Sequence, residues 1–156
     1  VTTADNHNDS ISVSLIGSFR RHYADVVRAA EIFESAGVRV LSPPICRIVN
    51  PDSEYVRFES DPPQSTDHSI QAETTRKIHA SDFVYVVAPQ GYVGRATCLE
   101  LGSILDRGIP IYYSETPQDV PIDIAPDAIL SPAEVMSRLK RSGLPATDKT
   151  GERRAE

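Results

Sequence analysis

The sequence predicts a doubly wound α/β fold, one parallel sheet with helices on both faces, and three observations carry that prediction. Short apolar runs alternate with amphipathic stretches along the chain, the pattern of repeated β-α-β units. The segment Ser81–Tyr113 is one such unit in full: an apolar run Phe83–Ala88, a glycine-bearing loop Pro89–Gly94, a helical pattern Ala96–Asp106 and a second apolar run Ile109–Tyr113. The unbroken apolar character of Phe83–Ala88 fits a strand buried on both faces. Right-handed crossovers leave few topologies, and the expected one is Rossmann-like, of the flavodoxin type, with five strands in the order 2-1-3-4-5. That order sets the ends of strands one and three side by side where the winding reverses, the place at which open α/β sheets bind ligands.

Each element has its own signal. Residues 1–10 are polar and expected to be disordered, and their sequence VTTADNHNDS lacks the apolar segment of a signal peptide. In Ile11–Ile16 the residues Ile11, Val13 and Leu15 alternate with serines, which reads as the first strand. From His22 to Ala36, Val26, Val27, Ala30, Phe33 and Ala36 recur at helical intervals, and Gly37 is placed to end that helix. Val38–Leu41 reads as strand two, stopped at Pro43-Pro44. Residues 43–66 are rich in Pro, Asp and Ser without a sustained period; a loop this long predicts a flap over the site, with a helical turn near Ser53–Phe58. Asp67 is the expected N-cap of a helix His68–Ala80. After strands three and four, Ile129 and Leu130 are expected as a short fifth, and Ser131-Pro132 opens a last helix to about Lys140. The organisation is then one α/β domain, 11–142, followed by a charged tail, 143–156, with little to bury and expected to be disordered.

Composition narrows the function classes. The 156 residues suit one domain with a sizeable core, at 40% hydrophobic and 24% charged residues. A net charge of −6 argues against binding polymeric nucleic acid or an acidic membrane surface, both of which need clustered Lys and Arg. No apolar run approaches the roughly 20 residues that cross a bilayer. Two cysteines, Cys46 and Cys98, read as reduced thiols of a cytoplasmic protein. His22, His68 and His79 have no metal-ligand spacing, so no metal and no cofactor is expected.

Two places carry candidate chemistry. The loop Gly17-Ser18-Phe19-Arg20-Arg21 leads from strand to helix, where exposed N–H groups, a hydroxyl and guanidinium groups can hold a phosphate. The plainer alternative is that Ser18 caps the helix and the arginines are solvated. Glu100 stands early in the helix after strand three, with Leu99, Leu101, Ile104 and Leu105 expected on the buried side and Thr97 one turn earlier. A carboxylate there can act as nucleophile or electrostatic stabiliser at an anomeric carbon passing through an oxocarbenium-like transition state. The plainer alternative is a solvated helical glutamate.

The first strand ending in Gly-Ser-x-Arg, the Ala-Ser-Asp start of the third, the run Gly-x-x-Gly-x-x-Thr-x-x-Glu-x-Gly over 91–102 and Gly-x-Pro-Ile over 108–111 together resemble the nucleoside 2-deoxyribosyltransferase superfamily. That superfamily includes 2′-deoxynucleoside 5′-monophosphate N-glycosidases and CMP N-glycosidases of antibiotic pathways. The resemblance covers roughly Ile11–Tyr113. It implies that Glu100 is the catalytic glutamate, that Gly91, Tyr92, Gly94 and Thr97 belong to the loop approaching the sugar, and that Asp82 is the acidic residue starting strand three. The Gly17–Arg20 loop is closer to the phosphate-binding loop of the nucleotide hydrolases than to the Gly-Pro loop of the transferases, so a nucleoside 5′-monophosphate is the implied substrate. A homodimer whose second subunit helps to close the pocket is implied as well.

The pattern departs from the family in two respects. The Asp that relatives often carry eight residues before the strand-three Asp is Thr74 here, with Glu73 beside it as a substitute displaced by about 100° around the helix. The aromatic residue of strand one is absent, leaving Tyr23, Tyr55, Phe58 or Tyr92 to stack a base. Three alternatives stay open: a deoxyribosyltransferase, a phosphoribohydrolase of the lysine-decarboxylase-like kind (whose Pro-Gly-Gly run Pro89-Gln90-Gly91 does not supply), and a catalytically silent nucleotide sensor.

Overall fold

The computed structural model describes residues 10–144. The expected disorder of residues 1–9 and 145–156 lies outside the described residues. Four strands, β1 (Ser12–Gly17), β2 (Arg39–Ser42), β3 (Phe83–Val87) and β4 (Ile111–Tyr113), form one parallel sheet in the order β2-β1-β3-β4. Helices α1 (Phe19–Ser35) and α4 (Pro132–Ser142) pack on one face, α2 (Asp67–Ala80) and α3 (Gly94–Asp106) on the other.

The five-stranded order 2-1-3-4-5 is therefore corrected to four strands. Ile129 makes one isolated parallel bridge to Tyr113, and the Leu130 N–H donates to the Tyr113 carbonyl at 2.9 Å. The cause is local. A 3₁₀ turn at Pro126–Ala128 delivers the chain to these two residues, and Ser131 already caps α4, so no length remains for a ladder. The expected helical turn at Ser53–Phe58 is also absent. That part of the flap is a bent loop, its limbs joined by an antiparallel bridge between Ile48 and Phe58 and by hydrogen bonds from Val49 N to Arg57 O and Glu59 N to Arg47 O.

Strand alternation divides the core in two, because successive side chains leave a strand on opposite faces. From β3, Phe83, Tyr85 and Val87 join Val13, Leu15, Phe33 and Leu139 beneath α1 and α4, while Val84 and Val86 join Ile16, Ile78, Leu101 and Ile104 beneath α2 and α3. Phe33 meets Phe83 and Tyr85 edge-on at centroid distances of 5.6 and 5.3 Å, contacts worth about 0.5–1.5 kcal/mol each beyond the area they bury. The serines of β1 are buried but partnered: the Ser14 hydroxyl lies 2.6 Å from that of Ser81.

The helix starts differ from expectation in ways that matter for the site. Helix α1 begins at Phe19 rather than His22, and non-helical backbone at His22 (φ −130°, ψ 25°) sets its first turn apart from the rest. Thr66, not Asp67, caps α2, its hydroxyl accepting from the Ser69 N–H at 3.1 Å. Ser131 caps α4 in a full capping box with Glu134, an arrangement worth about 1 kcal/mol.

Candidate functional site

Gly17 ends β1 opposite Val87 of β3, and the loops leaving these two strands build the site. A Cβ on Gly17 would lie 2.5 Å from the Val87 carbonyl oxygen, so close approach of the two backbones requires glycine there. The loop after β3 is pinned by three hydrogen bonds to the segment after β4: Ala88 N to Ser114 Oγ (2.8 Å), Gln90 N to Glu115 Oε2 (3.0 Å) and Gln118 N to Gly91 O (3.0 Å). Gly91 has φ +79°, and a Cβ there would come within 2.8 Å of the Thr116 carbonyl. It serves the loop's packing.

Two depressions flank α3. The smaller, of about 160 Å³, lies between α2 and α3 and is lined by Gln71, Thr75, Ile78 and His79 from α2, by Ala96, Leu99, Glu100 and Ser103 from α3, and by Tyr55 of the flap. The larger, of about 700 Å³, opens beside it and is lined by Arg20, Tyr92, Gly94, Arg95 and Cys98 together with Glu54, Tyr55, Leu99 and Asp119. Tyr55 and Leu99 belong to both.

Glu100 is the chemically distinctive group. Burial pushes its carboxyl group up to about 7, against the opposing pull of a hydrogen bond from the Gln71 side-chain amide (Nε2 to Oε1, 3.2 Å). A carboxyl poised near neutrality is suited to proton transfer or to meeting a developing positive charge. On the same wall, His79 Nε2 lies 2.5 Å from Ser103 Oγ. Burial, and secondarily the charge of Arg107, lowers the His79 pKa, so its imidazole is neutral near pH 7.

The other sequence candidates divide sharply. Arg20, Tyr92 and Gly94 line the large cleft next to the Glu100 cavity. Thr97 is buried at 2% exposure and lines neither depression. Glu73 points away: it is exposed and forms a two-bond pair with Arg76 (2.9 and 2.6 Å), which lowers its pKa. Asp82 sits at the amino end of β3, the opposite end of the sheet, where its carboxylate accepts from Ser12 N (2.8 Å) and Ser12 Oγ (3.1 Å). It ties β3 to β1 and does not meet Glu100. Ser18 is the N-cap residue of α1 without a side-chain capping bond, Phe19 packs on Tyr23 and Phe58, and Arg21 stacks 4.2 Å over the Tyr92 ring.

Two side chains not assigned a role from sequence, Gln71 and Glu54, take part. Gln71 holds the Glu100 carboxylate; its signal was the face Gln71, Thr75, Ile78, His79, spaced i, i+4, i+7, i+8 on α2. Arg95 grips Glu54 with Nε and Nη2 at 2.9 and 3.1 Å, fastening the flap to the first turn of α3. No local pattern announces that pair, 41 residues apart in sequence.

Among the described residues, no group of three or more His, Cys, Asp or Glu is placed to hold a metal ion, and no helix is long and apolar enough to cross a membrane. No protein-family model, curated protein or solved structure matches this chain.

Proposed function

We propose that the protein hydrolyses the N-glycosidic bond of a nucleoside 5′-monophosphate. The observation that carries this reading is the Glu100 carboxyl group, desolvated, held by Gln71 and facing a cavity that adjoins a cleft lined by the guanidinium group of Arg20. As the C1′–N bond breaks, its electron pair leaves with the base and positive charge develops on the sugar. Glu100, ionised, stabilises that charge or captures C1′ as an ester. Water then supplies the hydroxyl at C1′ and the proton that the released base carries away. Arg20, which lines the cleft and has no ion pair among the described residues, gives the phosphate its charge-assisted hydrogen bonds, while Arg95 stays paired with Glu54.

Incubation with ribo- and deoxyribonucleoside 5′-monophosphates, followed by chromatography of free bases, tests the reading. Release of a base supports it; no release from any member of the panel overturns it. The monophosphate is expected to be used at least tenfold better than the free nucleoside, since charge-assisted hydrogen bonds contribute about 1.5–3 kcal/mol. Arg20→Ala is expected to narrow that preference. Equal kcat/KM for nucleoside and monophosphate in the parent protein would remove the phosphate assignment and favour base transfer between nucleosides.

One observation favours a second reading, a nucleotide-binding protein without turnover. Among the described residues, Glu100 is the one carboxylate lining its cavity, because Glu73 and Asp82 face elsewhere. Nucleotide binding without base release distinguishes it. The resemblance further suggests a homodimer, and we expect light scattering at micromolar concentration to give twice the 17.1 kDa of one chain. A monomer with full activity would exclude a shared site.

A further inference from the structure

Of five aromatic side chains in the flap, in the first turns of α1 and in the loop after β3, two, Tyr55 and Tyr92, line the depressions, and four of the five are already engaged. Phe19, Tyr23 and Phe58 form a mutual cluster with ring centroids 5.7–6.1 Å apart. The Tyr92 ring is covered on one face by Arg21 and met at 6.1 Å by His22. Tyr55 is different. It is 50% exposed, and among the described residues no ring or cation is stacked on it.

Its backbone is nevertheless held. The Asn50 side-chain amide donates to the Tyr55 carbonyl (3.2 Å) and accepts from the Arg57 N–H (2.5 Å), while the preceding residue, Glu54, is gripped by Arg95. An aromatic ring on a pinned loop, left in water, is a preorganised surface: its ordering cost is met in folding and not again on binding. Leu99, 76% exposed, is the other side chain lining both depressions, and it immediately precedes Glu100. Behind these two apolar walls the smaller cavity offers polar groups from Gln71, Thr75, His79 and Ser103, able to meet the hydrogen-bonding edge of a flat heterocycle.

We propose that Tyr55 and Leu99 form the slot that selects a planar nucleobase, with Tyr55 as its stacking face. This inference rests on the nucleotide reading above and names which residues recognise the base. The Glu54–Arg95 pair positions Tyr55 at the junction of the cleft and the cavity.

Calorimetric binding on the Glu100→Gln background, where substrate persists, separates this inference from the catalytic one. The probes are nucleoside 5′-monophosphates and ribose 5-phosphate, which lacks the base. At least one monophosphate is expected to bind tenfold or more tighter than ribose 5-phosphate. Adding Tyr55→Ala should weaken that monophosphate by roughly 5- to 150-fold, the range for removing an aromatic stacking partner. Ribose 5-phosphate should change less than twofold, and Tyr55→Phe should keep the parent affinity. The slot is overturned if no monophosphate binds, if ribose 5-phosphate binds as tightly, if Tyr55→Ala leaves nucleotide affinity intact, or if it weakens both probes equally, which would mark a positioning effect of the flap. Base-selective binding that depends on Tyr55, in a parent protein that releases no base, would end the hydrolase reading and leave the slot standing.

Discussion

Glu100→Gln is expected to lower the rate of base release at least a hundredfold while leaving the fold intact. A hundredfold loss corresponds to about 3 kcal/mol of barrier, a reasonable amount for one carboxylate facing developing positive charge in a desolvated cavity. The glutamine retains the shape of the side chain and can still accept from Gln71, so the α2–α3 seam keeps its hydrogen bond. Circular dichroism should therefore match the parent protein, and at pH 7.5 the melting temperature should not fall. Near-normal turnover in this variant would remove Glu100 from the mechanism. A second variant, Gln71→Leu, separates the carboxylate's identity from its placement. It should reduce turnover by less than Glu100→Gln and move the activity profile to higher pH, because it removes the one hydrogen bond that lowers the carboxyl's pKa.

The parts of the fold legible in the sequence were those in which burial imprints a local pattern. β3 is buried on both faces, so Phe83–Val87 reads as an unbroken apolar run. The fifth strand was misread because two apolar residues look like a strand, whereas a ladder needs length that the 3₁₀ turn before and the cap after do not leave. Helix α3 shows the arithmetic that composition hides. Thr97, Leu101 and Ile104 recur at i, i+4 and i+7 and are buried, but Leu99 lies about 200° from Leu101 around the helix. It stands 76% exposed and Leu105 39%, although apolar character alone grouped all four leucine and isoleucine residues on one side. The departure of Leu99 from the buried stripe is what brings it into the site.

Of the candidate site, what was legible is the placing of Glu100, Arg20, Tyr92 and Gly94 along two adjoining depressions, on the segments that follow β1 and β3. It was not legible where a residue's partner lies far along the chain. Asp82 is acidic and adjacent to β3 in sequence, yet it stands at that strand's amino end, and its partner Ser12 is 70 residues away. Glu73 follows Gln71 by two positions on α2, again about 200° around the helix, so the turn that aims Gln71 into the cavity aims Glu73 into solvent.

Glu100 should also make the protein less stable as pH rises through neutrality. Its carboxyl group titrates near 7 in the folded chain against an ordinary value of 4.5, so between these limits the folded state binds more protons than the unfolded one. Stability falls with pH wherever that holds. The contribution is fully present below pH 4.5 and is lost as pH rises through about 7. At about 1.4 kcal/mol per unit, the cost of ionising this buried group reaches on the order of 3 kcal/mol in alkaline solution. Glu100→Gln has no charge to desolvate there. The difference in melting temperature, variant minus parent, should be near zero at pH 4.5 and grow to several degrees in the variant's favour at pH 8, at roughly 2–4 °C per kcal/mol for a chain of this length. Taking the difference cancels His79, which lines the same cavity in both proteins and titrates below its ordinary value. Activity should run the other way. If the ionised carboxylate is the working form, kcat/KM rises about tenfold per pH unit below 7 and levels above it, because this ratio reports the free enzyme. A flat stability difference across pH 4.5–8 would mean that the Glu100 carboxyl is solvated, and the same experiment would then move the activity midpoint down toward an ordinary glutamate.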